Sequence, residues 1–233
     1  MKYTRDLVAH IDSMWTRSRA SYPEITDEDF WEFYALASPY SMVHITGFYN
    51  VYQSMRYIAT NDIPGDIVEC GCFLGGIGIF IGLLRRHLEL RGTTIYLYDT
   101  FAGPPEGECE FVHGEMQHSS PLPSYYEAVR ENIREVLHTD EGYVLVRGLV
   151  EETLPASVDV ALSLVRLDTD YYTSTKAELD VLYPRLVSGG VIVIDDYGMY
   201  AGARRATDEF IAQQPRRPLL NRIDNSVWAG VKP

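Results

Sequence analysis

Apolar positions along this chain change their period near residue 64. Before it, bulky residues recur at helical spacing. Phe30-Trp31 and Phe33-Tyr34 follow an acidic start at Thr26-Asp-Glu-Asp29, where Thr26 reads as an N-cap and the acids suit a first turn. A second stretch, Ser41 to Thr60, is rich in aromatics and Met and also reads as helix. Residues 1–60 are therefore expected to form a helical cap on the rest of the chain. Packing explains most of its aromatics, and some wall a substrate cleft.

After the turn at Pro64-Gly65, short apolar runs alternate with amphipathic ones. The runs predict strands at Asp66–Glu69, Thr94–Asp99, Tyr143–Arg147, Val160–Asp168 and Val191–Asp195. Helices are expected near 76–90, 124–138 and 174–187, with Ser124-Tyr-Tyr-Glu127 as a capping box. This alternation implies an α/β, doubly wound and mostly parallel sheet with helices on both faces. The rhythm then breaks. A helix near 203–213 precedes two strands, about 218–223 and 226–232, joined only by Asp224-Asn225; this terminal hairpin is expected to add an antiparallel strand.

Composition narrows the picture without changing it. A length of 233 residues, 46% of them hydrophobic, fits a single domain over 1–233, with a core at 64–233 beneath the cap. The net charge of -13 argues against nucleic-acid and anionic-membrane partners, both of which need clustered Lys and Arg. Cys70, Cys72 and Cys109 lack metal-binding spacing, and the first two read as buried thiols in a reduced, cytoplasmic setting. Met1 to His10 is charged and has no signal-peptide core. The longest apolar run, Cys70 to Leu84, stops at Arg85-Arg86, short of a membrane span.

Three constellations carry candidate chemistry. Glu69-Cys-Gly71 followed by Gly75-Gly76 ends the first strand and opens a helix. Glycines there let backbone approach a ligand. An acid directly before the loop repels a pyrophosphate but suits an ammonium, such as the methionyl end of S-adenosylmethionine (SAM). Close packing of strand on helix is the alternative. Asp99 ends the second strand, where a carboxylate can hold both ribose hydroxyls of an adenosine; the alternative is a turn-initiating Asp before Gly103-Pro104. Leu167-Asp168-Thr-Asp170 and Ile194-Asp195-Asp196 end two strands that neighbour each other in a doubly wound sheet, so four carboxylates converge. Like charges raise one another's pKa, and a hard dication such as Mg2+ resolves that conflict. The alternative has one Asp capping the next helix and the others facing solvent.

These residues resemble the macrocin O-methyltransferase family, which methylates sugar hydroxyls of glycosylated natural products. The resemblance runs through Gly65-Asp-Ile-Val-Glu-Cys-Gly71, Tyr98-Asp-Thr-Phe-Ala-Gly103 and Gly148-Leu-Val-Glu-Glu-Thr-Leu-Pro155. It continues through Arg166-Leu-Asp-Thr-Asp-Tyr-Tyr-Thr-Ser-Thr175, Val193-Ile-Asp-Asp-Tyr-Gly198 and Gly202-Ala-Arg-Arg-Ala-Thr-Asp-Glu-Phe210. It implies a seven-stranded, Rossmann-like class I methyltransferase sheet. It further implies metal ligation by Asp168, Asp195 and Asp196, with Asp170 as general base. SAM contacts are implied at Glu69, Gly71 and Gly75, ribose contact at Asp99, and adenine contact near Val150-Glu151. Cys72-Phe-Leu departs from the bulkier Trp-Arg pair of many members. The first sixty residues match poorly, so substrate choice is expected there. The family's habits, with the aromatic N-terminal helices, point to a homodimer acting on a small-molecule glycoside.

Phe101 to Pro123 is a long polar stretch of lid-like length holding His113 and His118, either of which is a candidate substrate contact; solvated loop histidines are the alternative. Among rival readings, catechol-type methyltransferases share the Glu69-x-Gly71 and Asp168 features but follow the last strand with Asp-Asn and use a Lys base. Here those positions are Asp196 and Tyr171. A catalytically silent SAM-binding scaffold has no need of an acidic quartet, and a dinucleotide enzyme needs another glycine spacing.

Overall fold

The break in rhythm at Pro64 is the seam of the fold. The computed structural model describes residues 19–157 and 159–233, and the part of the expected helical cap before residue 19 lies outside them. In chain order the regular elements are α1 (Glu28–Ala37), α2 (Ile45–Thr60), β1 (Asp66–Cys70), α3 (Gly76–His87), β2 (Ile95–Asp99), β3 (Gly107–Glu110) and β4 (Met116–Ser119). They continue with α4 (Tyr126–Leu137), β5 (Tyr143–Arg147), α5 (Val150–Ser157), β6 (Leu162–Leu167), α6 (Tyr172–Arg185), β7 (Leu186–Ile194), α7 (Ala201–Ala212), β8 (Asn221–Arg222) and β9 (Trp228–Val231).

The main sheet has seven strands in the order β5-β2-β1-β6-β7-β9-β8. The first five run parallel, and β9 lies antiparallel to both β7 and β8. Every residue of β6 is buried, which is why that strand reads as an apolar run and not as an alternation. Strand order reverses between β1 and β6, so the carboxyl ends of these two strands open a crevice. This is the α/β, doubly wound architecture expected from the sequence.

One face of the sheet packs against α1 to α4. There Phe30 and Phe48 meet Phe80 of α3, with Phe48 and Phe80 ring centroids 5.1 Å apart, and Tyr34 packs on Phe48. The other face packs Val150 and Leu154 of α5 against Leu179 and Leu182 of α6. Of the N-terminal aromatics, Phe30 and Phe48 are fully buried in the chain's own core, while Trp31, Phe33 and Tyr49 are only partly buried. Cys70 and Cys72 are buried thiols, and burial pushes both up. No helix among the described residues is long and apolar enough to cross a membrane.

Local start signals fared worse than the elements they introduce. Asp27, not Thr26, stands at the N-cap position of α1, and it makes no capping bond. Its carboxylate instead accepts from Arg56 at 2.7 Å and from the hydroxyls of Tyr49 and Tyr52. The Ser124 capping box does not form either, because α4 begins at Tyr126 with Tyr125 at the cap position. Tyr125 is drawn into the core, where its hydroxyl accepts from Gly103 N at 3.1 Å. The terminal strands are shorter than expected, since Asp224 Oδ1 accepts from both Ser226 N and Val227 N at 2.8 Å and widens the turn. Residues 101–123 carry the β3–β4 hairpin, docked by Val112 N donating to Met199 O at 2.8 Å.

Candidate active site

Close approach of two strand ends builds the floor of the site. Gly71, just past β1, has φ +80, and a Cβ there would come within 1.7 Å of the Asp168 carbonyl oxygen past β6. Only glycine lets the two chains meet this tightly. Asp170 sits in the left-handed region at φ 66, a conformation that Asp tolerates better than most residues. Its backbone N donates to Asp196 Oδ2 at 3.0 Å, tying the turn after β6 to the turn after β7.

Asp168, Asp195 and Asp196 each bring a carboxylate oxygen to one point, the three atoms lying within 4.8 Å of one another. Beneath them lies Arg166, one of the largest fully buried side chains of the protein. Its Nη1 is 2.9 Å from Glu69 Oε1 and 2.8 Å from Asp168 Oδ2, while Nη2 donates to Asp195 Oδ1. One guanidinium does not balance this many acids. Burial pushes Asp170 up to about 6 and Asp195 up to about 7, the latter against the pull of Arg166. Burial and the neighbouring acids Asp170, Asp168 and Asp195 raise Asp196 well above the carboxylate range. Below this floor Glu178, fully buried, accepts from Thr169 Oγ1 at 2.9 Å and braces the Asp168–Asp170 turn.

Above the floor opens a cavity of about 940 Å³ lined by residues from both chain halves. On one side stand Gly71, Phe73, Asp99, Val150 and Glu151. Asp99 Oδ2 accepts from Phe73 N at 2.9 Å and Oδ1 from Phe101 N at 2.7 Å, so Asp99 organises its own turn as well as lining the cavity. Glu69 and Gly75 are placed otherwise than as wall residues. Glu69 is 1% exposed and lies behind the cavity, its Oε1 on Arg166 and its Oε2 buried without a partner. Gly75 caps α3 at φ 87 and shapes the loop from outside.

The rest of the lining comes from distant segments: Met42 to His44, Gln117, Tyr171, Tyr200 and the turn from Asp224 to Val227. His44 caps α2, with Nε2 3.0 Å from Tyr22 OH and Nδ1 2.7 Å from Thr46 Oγ1; Thr46 in turn donates to Asp224. Gln117 accepts from Tyr200 OH at 3.0 Å. His113 and His118, expected as candidate substrate contacts, are both exposed and neither lines the cavity. Side chains alternate along a strand, so Gln117 facing the cavity turns His118 away. His113 lies in the hairpin turn, stacked on Phe111 at 5.3 Å.

Sequence reasoning missed Arg166, His44, Tyr200 and Asp224 as site residues. A signal existed for Arg166 alone: it is the one charge in the strand Leu162-Ser-Leu-Val-Arg-Leu167.

Residues 27–230 match the family described as macrocin O-methyltransferase (TylF). Demethyldecarbamoylnovobiocin O-methyltransferase of Streptomyces niveus is 33% identical over 76% of this chain and 70% of its own length. Mycinamicin III 3''-O-methyltransferase of Micromonospora griseorubida is 26% identical over 73% of this chain and 70% of its own. Among solved structures, the O-methyltransferase NovP superposes with a TM-score of 0.72 at 29% identity, over 83% of this chain and 82% of that one. The chain belongs to the macrocin O-methyltransferase family and is an O-methyltransferase, an enzyme class whose methyl donor is SAM.

Proposed function

We propose that this enzyme methylates a sugar hydroxyl of a glycosylated natural product with the help of a divalent cation. The observation that carries the reading is the meeting of Asp168, Asp195 and Asp196 on the cavity floor, with Asp170 beside them. The relatives named above act on glycosylated natural products, which supports the acceptor class.

The donor set fits a hard cation. Each of the three aspartates has one oxygen engaged by a protein donor, Arg166 for Asp168 and Asp195 and the Asp170 backbone for Asp196. A carboxylate has two oxygens, so one of each is left for a cation. Mg2+ bound there would supply Lewis acidity to an acceptor oxygen.

The chain's own groups do the rest. Asp170 takes the acceptor proton as general base. The acceptor oxygen forms its bond to the methyl carbon as the carbon–sulfur bond breaks, and S-adenosylhomocysteine (SAH) leaves. Asp99 holds the ribose, Val150 and Glu151 flank the adenine, and Gly71 gives the methionyl end its close approach. Glu69 acts from behind that wall. Closing the two reactants into one cavity supplies orientation, a large share of the rate in such transfers.

The test is transfer of labelled methyl from SAM to a panel of glycosides and catechols, with Mg2+ or with EDTA. Mg2+-dependent labelling of a glycoside is the expected result. Labelling that survives EDTA removes the cation, and labelling only of catechols replaces the acceptor class.

A further inference from the structure

Arg166 is buried on β6 at 1% exposure, yet it is no ordinary core residue: a single planar fork reaches three carboxylates. A buried guanidinium is costly unless its donors are satisfied, and here both terminal nitrogens are spent on acids. Nη1 lies between Glu69 and Asp168, and Nη2 holds Asp195. The Glu69 end anchors the fork, because Glu69 is itself 1% exposed and offers its other oxygen to no partner.

The consequence concerns which cation the floor accepts. With Asp168 Oδ2 and Asp195 Oδ1 already accepting from Arg166, an ion gripped by both oxygens of either carboxylate would have to share one of them with the guanidinium. Asp196 is restricted in the same way by the Asp170 backbone. Three protein oxygens would then leave the remaining ligands of a bound ion to water and acceptor oxygens. That suits Mg2+ or Mn2+, which keep waters and bind through few carboxylates. It does not suit Ca2+, which takes six to eight oxygens and often bidentate carboxylates.

We propose that Arg166 is a positioning residue which, by occupying one oxygen each of Asp168 and Asp195, makes the cation site discriminate against Ca2+ in favour of Mg2+ and Mn2+. The inference rests on the cation reading given above. Charge alone does not produce the effect: removing the guanidinium strengthens attraction for every dication alike. Only freeing the second oxygens shifts the ratio between ions of equal charge.

The test is calorimetric titration of Mg2+ and Ca2+ into the SAH-loaded full chain, as parent and as Arg166→Gln. The parent is expected to prefer Mg2+ by about tenfold or more, and the variant by about threefold or less. Parent and variant sharing one preference overturns the role of Arg166 while leaving the cation site standing. A parent that binds neither ion overturns both together. Because Arg166→Gln could fail to fold, the parent is also crystallised with Mn2+ and SAH. One oxygen each from Asp168 and Asp195 on the ion, with Arg166 on the others, supports the assignment, and a bidentate Asp168 or Asp195 overturns it.

Discussion

The two sides of the cavity are made differently. The side with Gly71, Asp99 and Val150 is assembled at consecutive strand ends, where backbone geometry sets position. The side with His44, Gln117, Tyr200 and Asp224 is assembled from a helix cap, a hairpin and a turn, joined by side-chain bonds across the chain. Thr46 and Asp224 are 178 residues apart in sequence. A parallel sheet fixes the first side wherever the chain folds at all. The second depends on individual hydrogen bonds, so on the function proposed above it is the side free to vary with the acceptor. A shared binding half and a variable recognition half on one scaffold is the arrangement that lets one fold serve many substrates.

The seam between the halves is where the largest effect is expected. Asp170→Asn keeps shape and the backbone bond to Asp196 but removes the proton acceptor. Turnover should fall by about 10²–10⁴-fold, with SAH affinity, read by calorimetry, unchanged. An equal loss of SAH affinity would place Asp170 in the binding half instead. Next in size is Gly71→Ala, whose Cβ has no room against the Asp168 carbonyl at 1.7 Å. It should cost roughly 3 kcal/mol or more in a denaturant melt and damage SAH binding as well. A stable, SAH-binding Gly71→Ala protein would show that strand-end backbone does not govern this half.

The same division explains what the sequence disclosed. Strand ends bearing Glu69, Asp99, Asp168 and Asp195 are legible because β-strands and their carboxyl termini follow from apolar runs and turn residues, and sheet order then brings the acids together. Helix starts were less legible: Thr26 and Ser124 have the right chemistry, but tertiary demands on Asp27 and Tyr125 set the actual boundaries. The hairpin that turns His118 outward was hidden in a polar stretch, so the placement of His113 and His118 was not legible. His44 and Asp224 had no local signal at all, since each acquires its place through a partner far along the chain. Glu69, legible as the acid before the glycine loop, lies buried behind the cavity lining. The acid before the glycine loop serves Arg166 from behind the wall.

A smaller effect concerns the brace beneath both halves. Burial pushes Glu178 up to about 8 from an ordinary 4.5, so the folded state holds that proton more tightly than the unfolded one. The sign follows: this group's stability contribution is complete below the unfolded value and is lost as pH rises through about 8. Glu178→Gln removes the loss while keeping an acceptor for Thr169. Denaturant melts at about pH 6 and about pH 9 should show the parent losing roughly 1–3 kcal/mol more than the variant over that rise. Parallel losses would mean that Glu178 is already ionised in the folded protein at the lower pH, and that burial does not hold its proton.

The smallest expected effect tests the recognition half most directly. Thr46→Val is nearly isosteric but removes the hydroxyl that lies 2.7 Å from His44 Nδ1 and donates to Asp224. Both partners reach water through the cavity they line, so they are not stranded, and the stability cost should be only about 1 kcal/mol. The wall nonetheless loses the bond that registers the α2 cap against the β8–β9 turn. For a glycoside identified by the labelling panel, KM should rise roughly three- to tenfold with kcat and SAH affinity held, because the change sits on one side only. A fall in SAH affinity of the same size would break the division: the two sides would then be one coupled surface, with the turn at Asp224 reaching the SAM side through Ser226, whose hydroxyl donates to the Asp195 carbonyl.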